Sequence, residues 1–299
     1  MKTYLAIDIG GTQIKYGRLD AAGQILESYK MDTEAHKGGP HILATVKNLV
    51  ADFHAQSPLS GVAISSAGMV DPDKGEIFYS GPQIPNYAGT QFKSEIETSF
   101  GLPCEIENDV NCAGLAEGIS GAGQGSRISI CLTIGTGIGG CLLVDGQIFH
   151  GFSNSACEVG YLHLSDGAFQ DLASTTALVQ EVARLHGQDP ADWNGYKIFQ
   201  EAKAGDAHCI AAIDRMVNYL GQGIANICYV ANPEVVILGG GIMAQKDYLF
   251  EKIQAALKAN LVSSLADKTK LAFAEHENAA GIYGAFYNFI QRQNICWKR

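Results

Sequence analysis

The residues with most to offer chemically are an aspartate, two glycines and a threonine near the start of the chain. Asp8 closes the apolar run Tyr4-Leu5-Ala6-Ile7, Ile9-Gly10-Gly11-Thr12 follows, and Lys15 comes three residues later. A carboxylate at a strand end can hold magnesium through water, and a Gly/Thr turn offers backbone N–H groups and a hydroxyl to a phosphate. Glycine lets those N–H groups approach a ligand closely. A Gly-Gly turn beside an aspartate is also an ordinary hairpin turn, and on this segment alone the two readings stand level. The pattern then returns in the second half. The apolar run Ile128–Ile134, with Thr133 near its end, leads into Gly135-Thr136-Gly137. Each copy continues through a second strand to Gly-Gln-Ile, at Gly23-Gln24-Ile25 and at Gly146-Gln147-Ile148. Two such copies suggest related half-molecules, and two Gly/Thr hairpins could hold a polyphosphate between them.

A third glycine turn, Gly239-Gly240-Gly241, follows the apolar run Val235–Leu238 and precedes a helical pattern. It offers a flat surface on which an adenine and ribose could lie; the alternative is a tight strand-to-helix connection. No P-loop and no dinucleotide fingerprint occur. Asn108-Asp109 is the candidate reacting end. Phosphoryl transfer needs a carboxylate to orient the attacking hydroxyl and accept its proton. Either residue could instead cap the helix that follows, and Asn108 could cap while Asp109 reacts. Glu158, in Cys157-Glu158-Val159-Gly160-Tyr161, could chelate two vicinal sugar hydroxyls or be an ordinary loop carboxylate. The eight histidines form no metal motif, and the eight cysteines lie scattered among apolar neighbours without a Cys-x-x-Cys, as reduced core thiols do.

The elements that must position these groups follow from periodicity. Tyr4–Ile9, Ile14–Leu19 and Ile25–Met31 read as an antiparallel meander. Apolar residues at 42, 43, 46, 49, 50 and 53 predict a helix over 41–54. Gly61–Ser65 reads as a buried strand, 81–89 as an irregular loop, Phe92–Phe100 as a helix, Cys104–Glu107 as a strand and Asn111–Ile119 as a helix. A flexible crossing is expected over Gly118–Gly125. Beyond the second hairpin the pattern predicts helices over 175–185, 198–204, 209–230, 247–257 and 281–293, with strands at 233–238 and 271–274. The order is that of a duplicated α/β lobe. The expected division is residues 1–118, 119–282 and a C-terminal helix, 283–299, packing back on the first lobe.

With 299 residues, 46% hydrophobic and 17% charged, the composition is that of a globular protein with two real cores. A net charge of -10 argues against nucleic-acid or anionic-membrane partners. No apolar run is long enough for a membrane span, and the N-terminus shows no signal-peptide pattern, so a cytoplasmic location is expected.

In combination these motifs resemble the ROK family of sugar kinases and repressors, within the actin-like ATPase superfamily. The segments that carry the resemblance are Asp8–Thr12, Glu107–Cys112, Leu132–Gly140, Glu158–Gly160 and Asn232–Gly241, spread over nearly the whole chain. The resemblance implies duplicated actin-like (ribonuclease H-like) lobes with a cleft between them. It implies ATP- and Mg²⁺-dependent phosphorylation of a sugar hydroxyl, usually O6, with Asp109 as base. Gly68, Asn108, Asp109 and Glu158 would line the sugar. Gly10, Gly11, Thr12, Thr133, Gly135, Thr136 and Gly137 would contact phosphates, and Gly239, Gly240 and Gly241 would lie near the adenosine. It also implies a homodimer.

This chain departs from the family pattern at one place. Most members have Glu-x-Gly-His followed by a cysteine-rich zinc loop; here Tyr161 stands at the histidine, and Ser165–Ser174 replaces the loop. Gln170 or Asp171 stands roughly where a sugar-contacting glutamate is usual. No zinc is therefore expected, and the altered segment is similar to that of the family's β-glucoside kinases. N-acetylmannosamine kinase, glucokinase and fructokinase are the alternatives within the family. A sugar-sensing ROK regulator is disfavoured because the first strand begins at residue 3 or 4, leaving no room for a helix-turn-helix.

Overall fold

A computed structural model describes residues 2–295. They form two compact units. One comprises the residues up to Ile119, the segment His150–Ala156 and the residues from Asn278 onward; the other comprises Ser120–Phe149 and Cys157–Glu277. The units are thus not contiguous halves: a short segment from the middle of the chain belongs to the first.

The first unit opens with strands β1 (Thr3–Ile9), β2 (Gln13–Asp20) and β3 (Ile25–Asp32), a meander as its alternating turns require. Helix α1 (Gly39–Gln56), strand β4 (Gly61–Ser66), the hairpin β5 (Met69–Asp71) and β6 (Glu76–Tyr79), helix α2 (Phe92–Phe100), strand β7 (Cys104–Asn108) and helix α3 (Asp109–Ser120) follow. The sheet order is β3-β2-β1-β4-β7, with β4 parallel to β1 and β7 parallel to β4. Period-two alternation divides β1 between two faces. Leu5, Ile7 and Ile9 share a core with Ile42, Val46, Val50 and Phe53 of α1. Tyr4 on the opposite face packs its ring against Phe286 and Phe289, which belong to the unit's last helix.

The second unit repeats the plan. Strands β8 (Ile128–Ile134), β9 (Ile138–Val144) and β10 (Gln147–Ile148) are followed by a small hairpin, β11 (His163–Leu164) and β12 (Gly167–Ala168). Helices α4 (Phe169–Ala173), α5 (Thr175–His186), α6 (Gly195–Ala204) and α7 (Ala207–Ala231) come next, then β13 (Val235–Gly239), α8 (Lys246–Asn260), α9 (Ser263–Ala266) and β14 (Lys270–Phe273). The sheet order, β10-β9-β8-β13-β14, reproduces that of the first unit strand for strand. Helix α10 (Ala280–Arg292) returns the chain to the first unit, where it covers β1, β4 and β7.

Local physics moves some boundaries from where periodicity puts them. Helix α3 starts at Asp109 rather than Asn111, because the Asn108 side chain caps it. It also runs through Gly118 to Ser120, so the expected crossing is shorter. The hairpins β5–β6 and β11–β12 and helix α4 were not foreseen, since two- to five-residue elements carry no readable period. Seven cysteines lie outside disulfides and six of those are buried; Cys296 lies outside the described residues. Among the described residues no helix is long and apolar enough to cross a membrane.

Candidate active site

Strand register assembles the first half of the site. Asp8 pairs with Lys15 across β1 and β2, and with Ser65 across β1 and β4; Ser65 in turn pairs with Glu107 of β7. Paired positions share a face, so one row across the sheet carries Lys15, Asp8, Ser65 and Glu107. Ser65 Oγ donates to Asp8 Oδ1 at 2.7 Å, and Lys15 Nζ lies 4.0 Å from Asp8 Oδ2. Lys15 Nζ also donates to the Asn278 carbonyl at 3.2 Å, just before α10. Burial pushes the Asp8 carboxyl above the usual range, against the opposing pull of Ser65 and Lys15. Helix α10 reaches this row only because residue 281 is glycine: a Cβ there would lie 2.3 Å from the Asp8 carboxyl carbon.

The hairpin turn beyond Asp8 is braced from below by Thr33, which sequence reasoning did not single out. Its N–H donates to the Thr12 carbonyl at 2.9 Å and its hydroxyl to the Gly10 carbonyl at 2.7 Å. Gly11 and Thr12 are exposed at the tip, with open space around Gly11.

One row further along, β7 delivers Asn108 and Asp109. Asn108 Oδ1 accepts from the N–H groups of Val110 (2.9 Å) and Asn111 (3.0 Å), the bonding of an N-cap residue. Its Nδ2 donates to the Gly68 carbonyl at 2.9 Å and to Asp109 Oδ1 at 3.0 Å. Gly68 has φ 93°, a region that favours glycine. Capping thus falls to Asn108, and one Asp109 oxygen is fixed at the helix N-terminus. Burial and the neighbouring Asp8 charge push Asp109 up to about 7, against the bonds from Val110 and Asn108. A buried hydroxyl pair, Ser66 Oγ and Tyr87 Oη at 2.6 Å, anchors the 81–89 loop nearby. Glu107, whose role its motif does not reveal, is fully buried and pairs with His150 at 2.7 Å.

The second unit holds the other predicted residues. Gly135, Thr136 and Gly137 turn between β8 and β9, closed by the Gly135 N–H donating to the Gly137 carbonyl at 2.9 Å. Thr133 is in register with Gly239 on the neighbouring strand. Gly240 has φ 106°, and a Cβ there would lie 2.1 Å from the Ile134 carbonyl oxygen; Gly241 has open space. Around these turns lies a cavity of about 770 Å³, walled by Gly135, Thr136, Thr175, Trp193, Tyr196 and Gly241 among others. That volume suits a nucleotide. Helix α5 begins at this cavity, with the Thr175 N–H donating to the Gly135 carbonyl at 2.8 Å, and a helix N-terminus favours anions. Thr175, Trp193 and Tyr196 were missed because they come from loops and helix starts with no motif.

Glu158 and Tyr161 flank a tight turn against β9. Gly140 and Gly160 permit it, since Cβ atoms there would meet the Cys157 and Ile138 carbonyl oxygens at 2.8 and 2.3 Å. Tyr161 is exposed. Gln170 packs its amide oxygen against both Gly137 and Gly160, tying the phosphate-type turn to the Glu158 turn, while Asp171 is exposed. The absence of a metal-type histidine cluster, expected from spacing, needs one amendment: folding brings His186, Asp206 and Cys209 together, with ligand atoms within 4.8 Å. The group has an evident structural role. Asp206 caps α7 by accepting from the Cys209 N–H at 2.7 Å and pairs with His186 at 3.2 Å.

Two sheets of identical strand order, each with a Gly/Thr hairpin beside a strand-end site, define a duplicated actin-like phosphotransferase. The chain belongs to the ROK family, whose model matches residues 4–292. It is 34% identical over 297 residues to the β-glucoside kinase of Listeria monocytogenes, covering 97% of this chain and 98% of that protein. A ROK family protein of Streptococcus pneumoniae, solved with sucrose, superposes with a TM-score of 0.85 at 31% identity, covering 98% of this chain and 99% of that one. A ROK glucokinase of Streptomyces griseus, solved with glucose and AMPPNP, gives 0.79 at 26% identity, covering 95% and 97%. The chain is an ATP-using sugar kinase.

Proposed function

We propose that this kinase transfers the γ-phosphoryl of ATP to O6 of a β-glucoside, with Asp109 as general base. In this reading Asp109 takes the proton from the sugar O6–H as that oxygen bonds to the γ-phosphorus. The bond from phosphorus to the β,γ-bridging oxygen breaks and ADP leaves. The observation that carries the reading is Asp109 itself. It is a carboxylate with a pKa near 7, held by Asn108 beside the Gly68 carbonyl, in the range where a base is both ionised and strong enough to take a proton. Asn108, Gly68 and Glu158 are its proposed sugar partners.

Asp8 and Lys15 suit the phosphate end. The buried, Ser65-oriented Asp8 carboxylate fits the outer shell of hydrated Mg²⁺, which when bound neutralises phosphate charge. Gly10, Gly11 and Thr12, with Thr133 and Gly135–Gly137, would supply donors to phosphate oxygens. The cavity beside Gly239–Gly241 would take the adenosine. The disaccharide or glucoside reading is supported by Tyr161 in place of a histidine, by the β-glucoside kinase relative and by the relative that binds sucrose. No zinc, a homodimer and a reducing, cytoplasmic setting belong to the same reading, the last supported by cysteines buried among apolar neighbours. ADP release measured against a panel of hexoses and β-glucosides tests it. Turnover of cellobiose is the expected result, and turnover of free hexoses alone would remove the glucoside assignment.

A further inference from the structure

The segment His150–Ala156 belongs to the first unit although the chain on both sides of it belongs to the second. One contact that ties it to that unit is of unusual placement. Glu107 is the residue immediately before Asn108, has no solvent exposure, and among the described residues has one cationic partner, His150, with Nε2 to Oε2 at 2.7 Å. The other carboxylate oxygen, Oε1, accepts from the Asn108 N–H at 2.8 Å and from Asn111 Nδ2 at 2.9 Å. One carboxylate therefore joins His150 to both ends of the turn that holds Asp109. The segment is itself a closed loop, with the Ala156 N–H donating to the His150 carbonyl at 3.1 Å and Gly151 in a left-handed conformation at φ 70°.

We propose that His150 is a positioning residue for the phosphoryl transfer: through Glu107 it fixes the Asn108–Asp109 turn. The role rests on Asp109 being the base. A buried carboxylate without its cation would turn toward water or take up a proton. Turning withdraws the acceptor of the Asn108 N–H and protonation weakens it, and either loosens the turn just where about 1 Å of misplacement costs on the order of 100-fold in rate. The bond is charge-assisted, so it is strongest with His150 protonated. Glu107 holds the His150 pKa above its ordinary value against burial, with Arg292 of α10 opposing and Asp73 of the β5–β6 turn assisting. A neutral imidazole can still donate, so deprotonation weakens the latch without opening it.

His150→Leu and His150→Gln test this. The glutamine keeps a donor and the leucine does not. The expected result for His150→Leu is a kcat lower by about 100-fold with the KM for ATP within about twofold of the parent. His150→Gln should recover at least about a tenth of parental kcat and lose the alkaline fall in kcat that deprotonation of His150 gives the parent. Hydrogen exchange at the amides of Asn108–Asn111 should quicken in His150→Leu and return toward the parent in His150→Gln. Unchanged exchange in a folded His150→Leu, or a kcat within about threefold of the parent, overturns the proposal. So does an alkaline limb that persists in His150→Gln, the arm that decides if the leucine variant fails to fold. If the parent phosphorylates no sugar, the kinase reading fails and the exchange arm alone judges the latch.

Discussion

The pKa of Asp109 makes a quantitative prediction about rate, and a second about stability with the opposite sign. A base with a pKa of about 7 is roughly one tenth ionised at pH 6, one half at pH 7 and nine tenths at pH 8. The kcat/KM for the sugar should therefore fall about tenfold for each pH unit below 6, and this acidic limb should be complete by about pH 8. Asp109→Asn removes the base while keeping the shape and one acceptor, so kcat should drop by about 10²- to 10⁴-fold at pH 8. The same carboxyl binds its proton more tightly folded than unfolded, where its pKa is about 4. Its contribution to stability is thus intact below pH 4 and lost as pH rises through 7, amounting to about 4 kcal/mol at most, less whatever residual solvent contact screens. The asparagine variant should melt several degrees above the parent at pH 8, with the gap closing by pH 5. Initial rates across pH 5–9 and calorimetry at both ends read these two effects. An Asp109→Asn enzyme with more than a tenth of parental kcat, or a melting difference that ignores pH, would refute the assignment.

Other residues give sharper local tests. Asp8→Asn removes the charge that helps raise Asp109, so the acidic limb of the rate profile should move to lower pH while the Mg²⁺ requirement rises; an unmoved midpoint argues that the two carboxylates do not interact. Gly240→Ala forces a side chain at φ 106° to within 2.1 Å of the Ile134 carbonyl oxygen, and the melting temperature should fall by several degrees. Gly241→Ala enters open space; if the adenosine lies there, the KM for ATP rises with melting unchanged, and an unchanged KM moves the nucleotide elsewhere in the cavity. Tyr161→Ala should raise the KM for a β-glucoside about three- to tenfold more than that for glucose, as loss of an aromatic platform would. Equal effects on both sugars would take Tyr161 out of specificity.

Much of the fold was legible because both sheets begin with the same glycine-punctuated meander, and the long helices carry strong 3.6-residue periods. The candidate site was legible where chemistry coincided with a motif, at Asp8, Asn108, Asp109 and the glycine turns, whose roles remain proposals. The supporting residues were not. Ser65 and Glu107 enter the Asp8 row through parallel strand register, which the sequence does not display. His150 reaches Glu107 from 43 residues away, on a segment that periodicity would leave with the second half. Thr33 lies just past a strand end, and its role appears only once the first hairpin is folded. The cavity proposed for the nucleotide draws Thr175, Trp193 and Tyr196 from helix starts and connections, where no spacing rule applies.

The most direct measurement is coupled ADP release by the purified protein with ATP and Mg²⁺, run against cellobiose and other β-glucosides, glucose, mannose, fructose and N-acetylmannosamine. The position of the new phosphate would be determined in each product, with Asp109→Asn in parallel. The expected result is sugar-dependent ADP release, phosphate on O6, a β-glucoside with the highest kcat/KM, and near-complete loss in the variant. ADP release independent of every sugar, or undiminished in Asp109→Asn, would contradict it.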